Sequence, residues 1–173
     1  MTVPSITPLE PASPFIVEIA RQQFDHWGPL TGYPSQIGYR TFLEQAARNA
    51  TLPRVLVAAT SKTLLGSVNL LVSEMTIRPH LTPWLAQLFV TESARGAGIG
   101  AALADAAARY VEKLGCPHLF LFTSGTLPDY YRARGWVAIE ELAYLGKART
   151  VMRLALGSPG AGLRGDISDE TTA

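Results

Sequence analysis

The run Arg95-Gly96-Ala97-Gly98-Ile99-Gly100 joins two stretches of different periodicity, and that junction constrains the fold more than any other feature of the chain. Before it, Leu85-Ala86-Gln87-Leu88-Phe89-Val90 is short, apolar and aromatic enough for a buried strand. After it, Leu103, Ala107, Tyr110 and Leu114 recur at helical spacing, with Asp105, Arg109, Glu112 and Lys113 on the other side. The glycines therefore stand at a helix N-terminus, where backbone N–H groups lack carbonyl partners and the helix dipole is positive. A pyrophosphate satisfies both needs. Glycine lets the backbone approach its oxygens without an intervening Cβ, and Arg95 adds charge-assisted hydrogen bonds.

Three phosphate-binding patterns compete for this run. A P-loop needs Lys and then Ser or Thr after its last glycine, but Gly100 is followed by Ala101 and Ala102. A dinucleotide fingerprint starting at Gly98 needs a small residue at position 103, which is Leu, and an acidic residue after the next strand. That strand, His118-Leu119-Phe120-Leu121-Phe122, runs into Thr123 and Ser124 instead. The third pattern, Arg-x-x-Gly-x-Gly, is met by Arg95, Gly98 and Gly100 and resembles the acetyl-CoA pyrophosphate loop of the GNAT family of N-acetyltransferases. Further on, Asp129-Tyr130-Tyr131-Arg132-Ala133-Arg134-Gly135-Trp136 is similar to that family's Tyr-x-x-x-Gly-[Phe/Trp] segment, a short helix followed by a strand. Pro53-Arg54-Val55-Leu56-Val57-Ala58-Ala59 and Leu64-Leu65-Gly66-Ser67-Val68-Asn69-Leu70 resemble its central hairpin. Pro83-Trp84-Leu85 is similar to the opening of its fourth strand, and Tyr144-Leu145-Gly146 and Thr150-Val151-Met152-Arg153-Leu154 to its closing strands.

The resemblance implies an α/β fold: a mixed, mainly antiparallel sheet whose parallel fourth and fifth strands splay apart, flanked by about four helices. It implies an acetyltransferase domain over residues 1–156, followed by a tail over 157–173 that is poor in apolar residues and expected to be disordered. Leu88, Phe89 and Val90 are then placed along the pantetheine arm, and the backbone of Arg95, Gly96, Ala97, Gly98, Ile99 and Gly100 around the pyrophosphate.

The implied chemistry is direct transfer of an acetyl group from acetyl-CoA to a primary amine of a small molecule, such as an amino-acid analogue, a polyamine or a drug-like amine. Acetylation of protein N-termini or lysines, and acetyl-CoA sensing without turnover, are the alternatives. The amine must arrive neutral, the carbonyl oxygen must be stabilised as it gains charge, and the thiolate must be protonated as it leaves. By the resemblance Tyr131 takes the last role, since a phenol with a pKa near ~10 can donate to a departing thiolate. The backbone N–H at Phe89 or Val90 is a candidate oxyanion donor. Glu74, read as the end of the third strand, stands where the family often places a carboxylate base, although a solvated strand end explains it equally. Glu92 reads as a brace for the glycine turn. His80 and His118 have no neighbours at metal-ligand spacing, His26 reads as a pocket or packing residue, and no metal is expected. Trp27, Tyr33, Tyr39, Trp84 and Tyr144 fall in the segments that build the family's acceptor groove. The same aromatics serve equally as ordinary core.

Composition enters as a set of exclusions. At 173 residues the prior is one domain, and a formal charge of +1 supplies no field for nucleic acid or acidic lipid. A single cysteine, Cys116, cannot form an internal disulfide framework and fits a reducing compartment. No basic segment leads into an apolar run near the N-terminus, and no stretch reaches the ~20 apolar residues of a membrane span, so a cytoplasmic protein is expected, with a homodimer as an option. Toward the N-terminus, Ile6-Thr7-Pro8-Leu9 reads as an edge strand, and Ser13-Pro14 as the opening of a helix that Gly28-Pro29 ends. A second helix is expected over residues 36–49.

Overall fold

A computed structural model describes residues 4–157. In chain order it contains β1 (Ser5–Pro8), α1 (Ile16–Trp27), a 3-10 turn (Gly28–Leu30), α2 (Gln36–Ala46), β2 (Arg54–Ala59) and β3 (Leu64–Leu71). There follow β4 (Trp84–Val90), a second 3-10 turn (Glu92–Ala94), α3 (Ile99–Lys113), β5 (His118–Thr123), α4 (Leu127–Arg132), β6 (Val137–Tyr144) and β7 (Lys147–Ala155). The seven strands form one sheet in the order β1-β2-β3-β4-β5-β7-β6. Every neighbouring pair is antiparallel except β4 and β5.

The helices cover both faces, which is why β2 and β3 read as nearly unbroken apolar runs. Along β2, Leu56 and Ala58 face α3 while Val55 and Val57 face α1 and α2. The apolar stripe Leu103, Ala104, Ala107 and Val111 of α3 packs on Val68, Leu70, Leu85, Leu119 and Leu121. Full burial of a side chain such as Leu103 contributes about 1.5–3 kcal/mol. A third cluster, Met75, Trp84, Phe120 and Val151, lies beneath the loop of residues 72–83.

Two features of β4 shape the middle of the sheet. Its pairing with β5 consists of the single register Trp84↔Phe120. Past that point the edge of β4 facing β5 has no strand partner, so alternate backbone amides look into a gap. On its other side β4 pairs with β3 as Ser67↔Phe89 and Asn69↔Ala86, so two steps on β3 answer three on β4. The extra residue is a β-bulge, and Gln87 within it takes φ of 46°, a left-handed value uncommon outside glycine. At the same level β3 and β4 approach closely: a Cβ on Gly66 would stand 2.7 Å from the Phe89 carbonyl oxygen.

The sequence reading and the structure differ at several boundaries. Helix α1 begins at Ile16 and not at Pro14, with the Ser13 hydroxyl accepting from the Phe15 N–H at 3.2 Å. Helix α2 ends at Ala46, because the N–H groups of Arg48 and Asn49 turn back to Gln45 and Ala46. Leu145 and Gly146 are not strand: with φ of 49° and 76° they make the two-residue turn that pairs Tyr144 with Lys147. Strand β3 ends at Leu71, so Glu74 lies in the following loop rather than at a strand end. Of the tail expected over 157–173, residues 158–173 lie outside the described residues. Gly157 is held by its N–H, which donates to the Glu112 carboxylate at 2.8 Å.

Candidate active site

The glycine run forms a cradle of backbone donors. Gly96 and Gly98 both take φ of 79°, and a Cβ on either would meet nothing within 4 Å, so the space in front of them is open. Gly98 is the N-cap of α3, and the first helical bond runs from the Ala102 N–H to the Gly98 carbonyl at 3.0 Å. Between Gly96 and Ala101 no backbone N–H is used in a turn or side-chain hydrogen bond, which is the arrangement a pyrophosphate fits. Arg95 is tethered by Nε to the Val90 carbonyl at 3.1 Å, leaving its terminal nitrogens at the rim. Val90 Cγ2 backs Gly100 at 3.5 Å from a notional Cβ.

A buried polar network fixes the bulge, and nothing in the sequence reading foresaw it. Gln23 of α1 is fully buried, and its Nε2 stands within hydrogen-bonding distance of Ser67 Oγ (3.0 Å), Asn69 Oδ1 (3.1 Å) and the Gln87 carbonyl (3.2 Å). Its Oε1 accepts from the Tyr39 hydroxyl at 2.6 Å. Asn69 Nδ2 reaches the Tyr39 hydroxyl at 2.9 Å and Gln87 Oε1 at 3.2 Å. Tyr39, one of the groove aromatics, is thus a network member whose burial pushes its phenol well above the ordinary range. The sequence clue was available: polar Gln23, Ser67 and Asn69 occupy positions where the apolar periodicity demands a core residue.

At the end of this network stands Glu74. The Gln87 Nε2 donates to its Oε1 at 3.0 Å. Burial raises the Glu74 pKa to about 7, with the Gln87 hydrogen bond working the other way. Glu74 lines two cavities at once. One, of about 290 Å³, occupies the gap between β4 and β5 and is walled by Leu85–Leu88, Leu121–Ser124, Leu127 and Tyr131, with Trp27 and His26 from α1. The other, of about 420 Å³, is walled by Tyr33, Tyr39, Phe42, Leu71, Thr76 and Tyr144. Gln87 and Leu30 also border both.

Tyr131 comes from α4 and packs edge-on against Tyr130 and Trp136, at 5.2 and 5.7 Å between ring centroids. Its hydroxyl makes no hydrogen bond among the described residues. Burial first, and the neighbouring Tyr130 second, push its pKa up to about 12, with Arg134 pulling the other way. The phenol is therefore protonated at any physiological pH and faces the cleft.

The structure thus brings Glu74, Leu88, Tyr131 and Trp27 to one cleft, and Tyr33 and Tyr144 to the adjoining pocket. Phe89 points the other way. It stacks on His26 and Trp27, and with Arg21, Gln22, Thr91, Glu92 and Arg95 it lines a separate hollow. Trp84, expected in the acceptor groove, is instead fully buried, with its Nε1 donating to the Leu81 carbonyl and its ring against Phe120 and Phe122. It lines neither cavity, because β4 at that point is still paired with β5 and closed over. Two residues that the sequence reading left out, Lys147 and Arg149 of β7, complete the cleft wall. Among the described residues no cluster of three or more His, Cys, Asp or Glu stands ready to hold a metal ion, and no helix is long and apolar enough to cross a membrane.

This architecture has known relatives. A model of the acetyltransferase (GNAT) family matches residues 15–136. No curated protein sequence matches the chain. Among solved structures, the acetyltransferase of GNAT family from Streptococcus pneumoniae superposes with a TM-score of 0.66 at 17% identity, covering 90% of this chain and 100% of that one. An aminoglycoside 6'-N-acetyltransferase complexed with coenzyme A gives 0.65 at 15% identity, over 87% and 96% of the two chains. A chain of the NatC complex bound to Gag peptide and CoA gives 0.65 at 18%, over 89% and 99%. At these identities the likeness is one of fold.

Proposed function

Since the chain belongs to the GNAT acetyltransferase family, we propose that it transfers an acetyl group from acetyl-CoA directly to the primary amine of a small molecule. The observation that carries this reading is the position of Glu74, at the junction of the β4–β5 cleft and the aromatic pocket beside it.

In this reading the pyrophosphate sits on the backbone N–H groups from Gly96 to Gly100, with Arg95 at its edge. The pantetheine arm runs along Leu88 and the unpaired edge of β4, its amides taking the backbone partners that β5 does not supply. When bound, acetyl-CoA supplies the activated thioester. The amine enters from the aromatic pocket and loses its proton to Glu74, directly or through water, a task suited to a carboxylate whose pKa is about 7. The carbonyl oxygen is stabilised by backbone N–H just past the bulge, at Leu88 to Val90. The Tyr131 hydroxyl, without a hydrogen-bond partner among the described residues, protonates the departing thiolate.

Two contacts beside the aromatic pocket support a small acceptor. The Arg78 guanidinium is ion-paired with Glu140, tying the loop of residues 72–83 to β6. The Tyr144 hydroxyl lies 3.4 Å from both the Thr76 N–H and its Oγ1. A long peptide would have to pass that bridge.

Calorimetric titration with acetyl-CoA, followed by a thiol-release assay over a panel of amines, tests the reading. Micromolar-range binding with release that depends on an amine supports it. Failure to bind acetyl-CoA overturns it.

A further inference from the structure

The cleft that Glu74 lines also carries a charge that nothing among the described residues neutralises. Arg149 is only 8% exposed, yet the four ion pairs among the described residues all use other cations. Among the described residues its one side-chain hydrogen bond runs from Nε to the Tyr144 carbonyl at 3.3 Å, leaving four of the five guanidinium N–H donors without an acceptor there. The Phe122 ring, 5.5 Å from its central carbon, offers a π face and no lone pair. The terminal nitrogens are not sealed inside the protein: among the described side chains only Gln22 Oε1 and Arg54 Nε are both buried and unpartnered, whereas Arg149 lines the cleft. Lys147, two residues earlier on the same face of β7, lines the cleft beside it and is also outside any ion pair.

A guanidinium that meets solvent only through a cleft gains from an anion that enters it, and its planar fork suits a carboxylate. Glu74 is not that anion, since its side-chain partner is Gln87 and no ion pair links it to Arg149. The coenzyme's pyrophosphate does not explain it either. Its cradle lies at the β4–α3 turn, whereas Arg149 stands on β7 with Phe122 beneath it. One cleft is therefore lined both by the candidate base and by a cation outside every ion pair among the described residues.

We propose that the acceptor is an amino carboxylate, its amine at Glu74 and its carboxylate held by Arg149 with Lys147 alongside. The proposal rests on the acetyltransferase reading above and narrows it. A polyamine would bring a second cation against Arg149, and an aminoglycoside would offer it no anion.

The test is a thiol-release assay of the full chain with acetyl-CoA and matched sets of amines. Each set contains an α-, β- or γ-amino acid, its carboxamide and its decarboxylated amine. The expected result is a kcat/KM about 10–100-fold higher for a carboxylate member than for its amide. Arg149→Met brings that ratio toward one by lowering turnover of the carboxylate member, and Arg149→Lys restores part of it. Calorimetry on both variants shows the acetyl-CoA dissociation constant within about twofold of the wild type. Amides or diamines used as well as carboxylates overturn the proposal while leaving the acetyltransferase reading standing. So does an Arg149→Met variant that loses acetyl-CoA affinity with an unchanged acceptor ratio, which would assign the arginine to the coenzyme. Absence of thiol release with every amine, acetyl-CoA being bound, overturns both. If Arg149→Met does not fold, the wild-type comparison of carboxylate and amide decides alone.

Discussion

Gln87 donates its side-chain N–H to the Glu74 carboxylate at 3.0 Å while its own backbone carbonyl accepts from Gln23, so the residue that makes the β4 bulge also positions the candidate base. Bulge and base are therefore one unit, and perturbing either is felt at the other.

The first prediction concerns pH. With a Glu74 pKa of about 7, kcat/KM rises through neutrality as the carboxylate ionises. Gln87→Met removes the hydrogen bond that lowers this pKa and moves the limb to higher pH. Glu74→Gln lowers kcat about 10²-fold or more and abolishes the limb. A pH–rate profile of the three proteins checks this, and an unshifted limb in Gln87→Met separates Glu74 from the titration.

Stability has the opposite sign. Because the folded pKa of Glu74 lies above its ordinary value of 4.5, the native protein keeps a proton that the unfolded chain releases between about pH 4.5 and 7. That contribution is fully present below the unfolded pKa and is lost as pH rises through the folded one. Glu74→Gln, which stays neutral, thus gains on the wild type across this window, by roughly 3 kcal/mol at the upper end if the whole shift is expressed. Denaturation at pH 4.5 and pH 8 should show the two proteins converging at the lower pH.

Tyr131→Phe removes one oxygen and leaves the packing on Trp136 in place. We expect kcat to fall about 10–100-fold with acetyl-CoA affinity unchanged. Rates indistinguishable from wild type would move the proton donor to another group or to water.

Gly98→Glu places a side chain and a negative charge where φ is 79° and the pyrophosphate would sit. The backbone strain costs about 1–2 kcal/mol, and calorimetric acetyl-CoA affinity should drop well over tenfold. Retained affinity would mean that the coenzyme does not use this turn.

Gln23→Leu takes away the acceptor of the Tyr39 O–H and the donor to Ser67 Oγ, Asn69 Oδ1 and the Gln87 carbonyl, all in a buried setting, while the Asn69 bonds to Tyr39 and Gln87 remain. A loss of about 2–4 kcal/mol in denaturant unfolding is expected, together with a lower kcat because the bulge is released. A merely structural role for Gln23 would lower stability with kcat intact.

What could be read from the chain without its structure depended on range. The glycine turn is legible because its shape resides in consecutive residues: the apolar strand before it, the φ freedom of Gly96 and Gly98, and the helix dipole after it are all properties of a single segment. The parallel crossover between β4 and β5 follows from the same segment, and Tyr131 was reached through its local Tyr-x-x-x-Gly-Trp spacing. Trp84 differs from its expected place because an aromatic that opens a strand reads alike whether it lines a groove or fills a core, and only its pairing with Phe120 shows it buried.

The tertiary structure alone decided the surroundings of Glu74 and Arg149. Gln23 and Gln87 are 64 positions apart in sequence, and Glu74 and Gln87 are 13 apart across a loop. Arg149 meets Phe122 only because β7 inserts between β5 and β6. Burial raises the Glu74 pKa and leaves Arg149 little exposed, and burial is a property of what packs around a residue from distant elements. Backbone conformation and helix polarity are local, so the sequence by itself determined the glycine turn and the helix start behind it; desolvation is not, so only the fold determined which carboxylate has its pKa raised and which cation is left little exposed in a cleft.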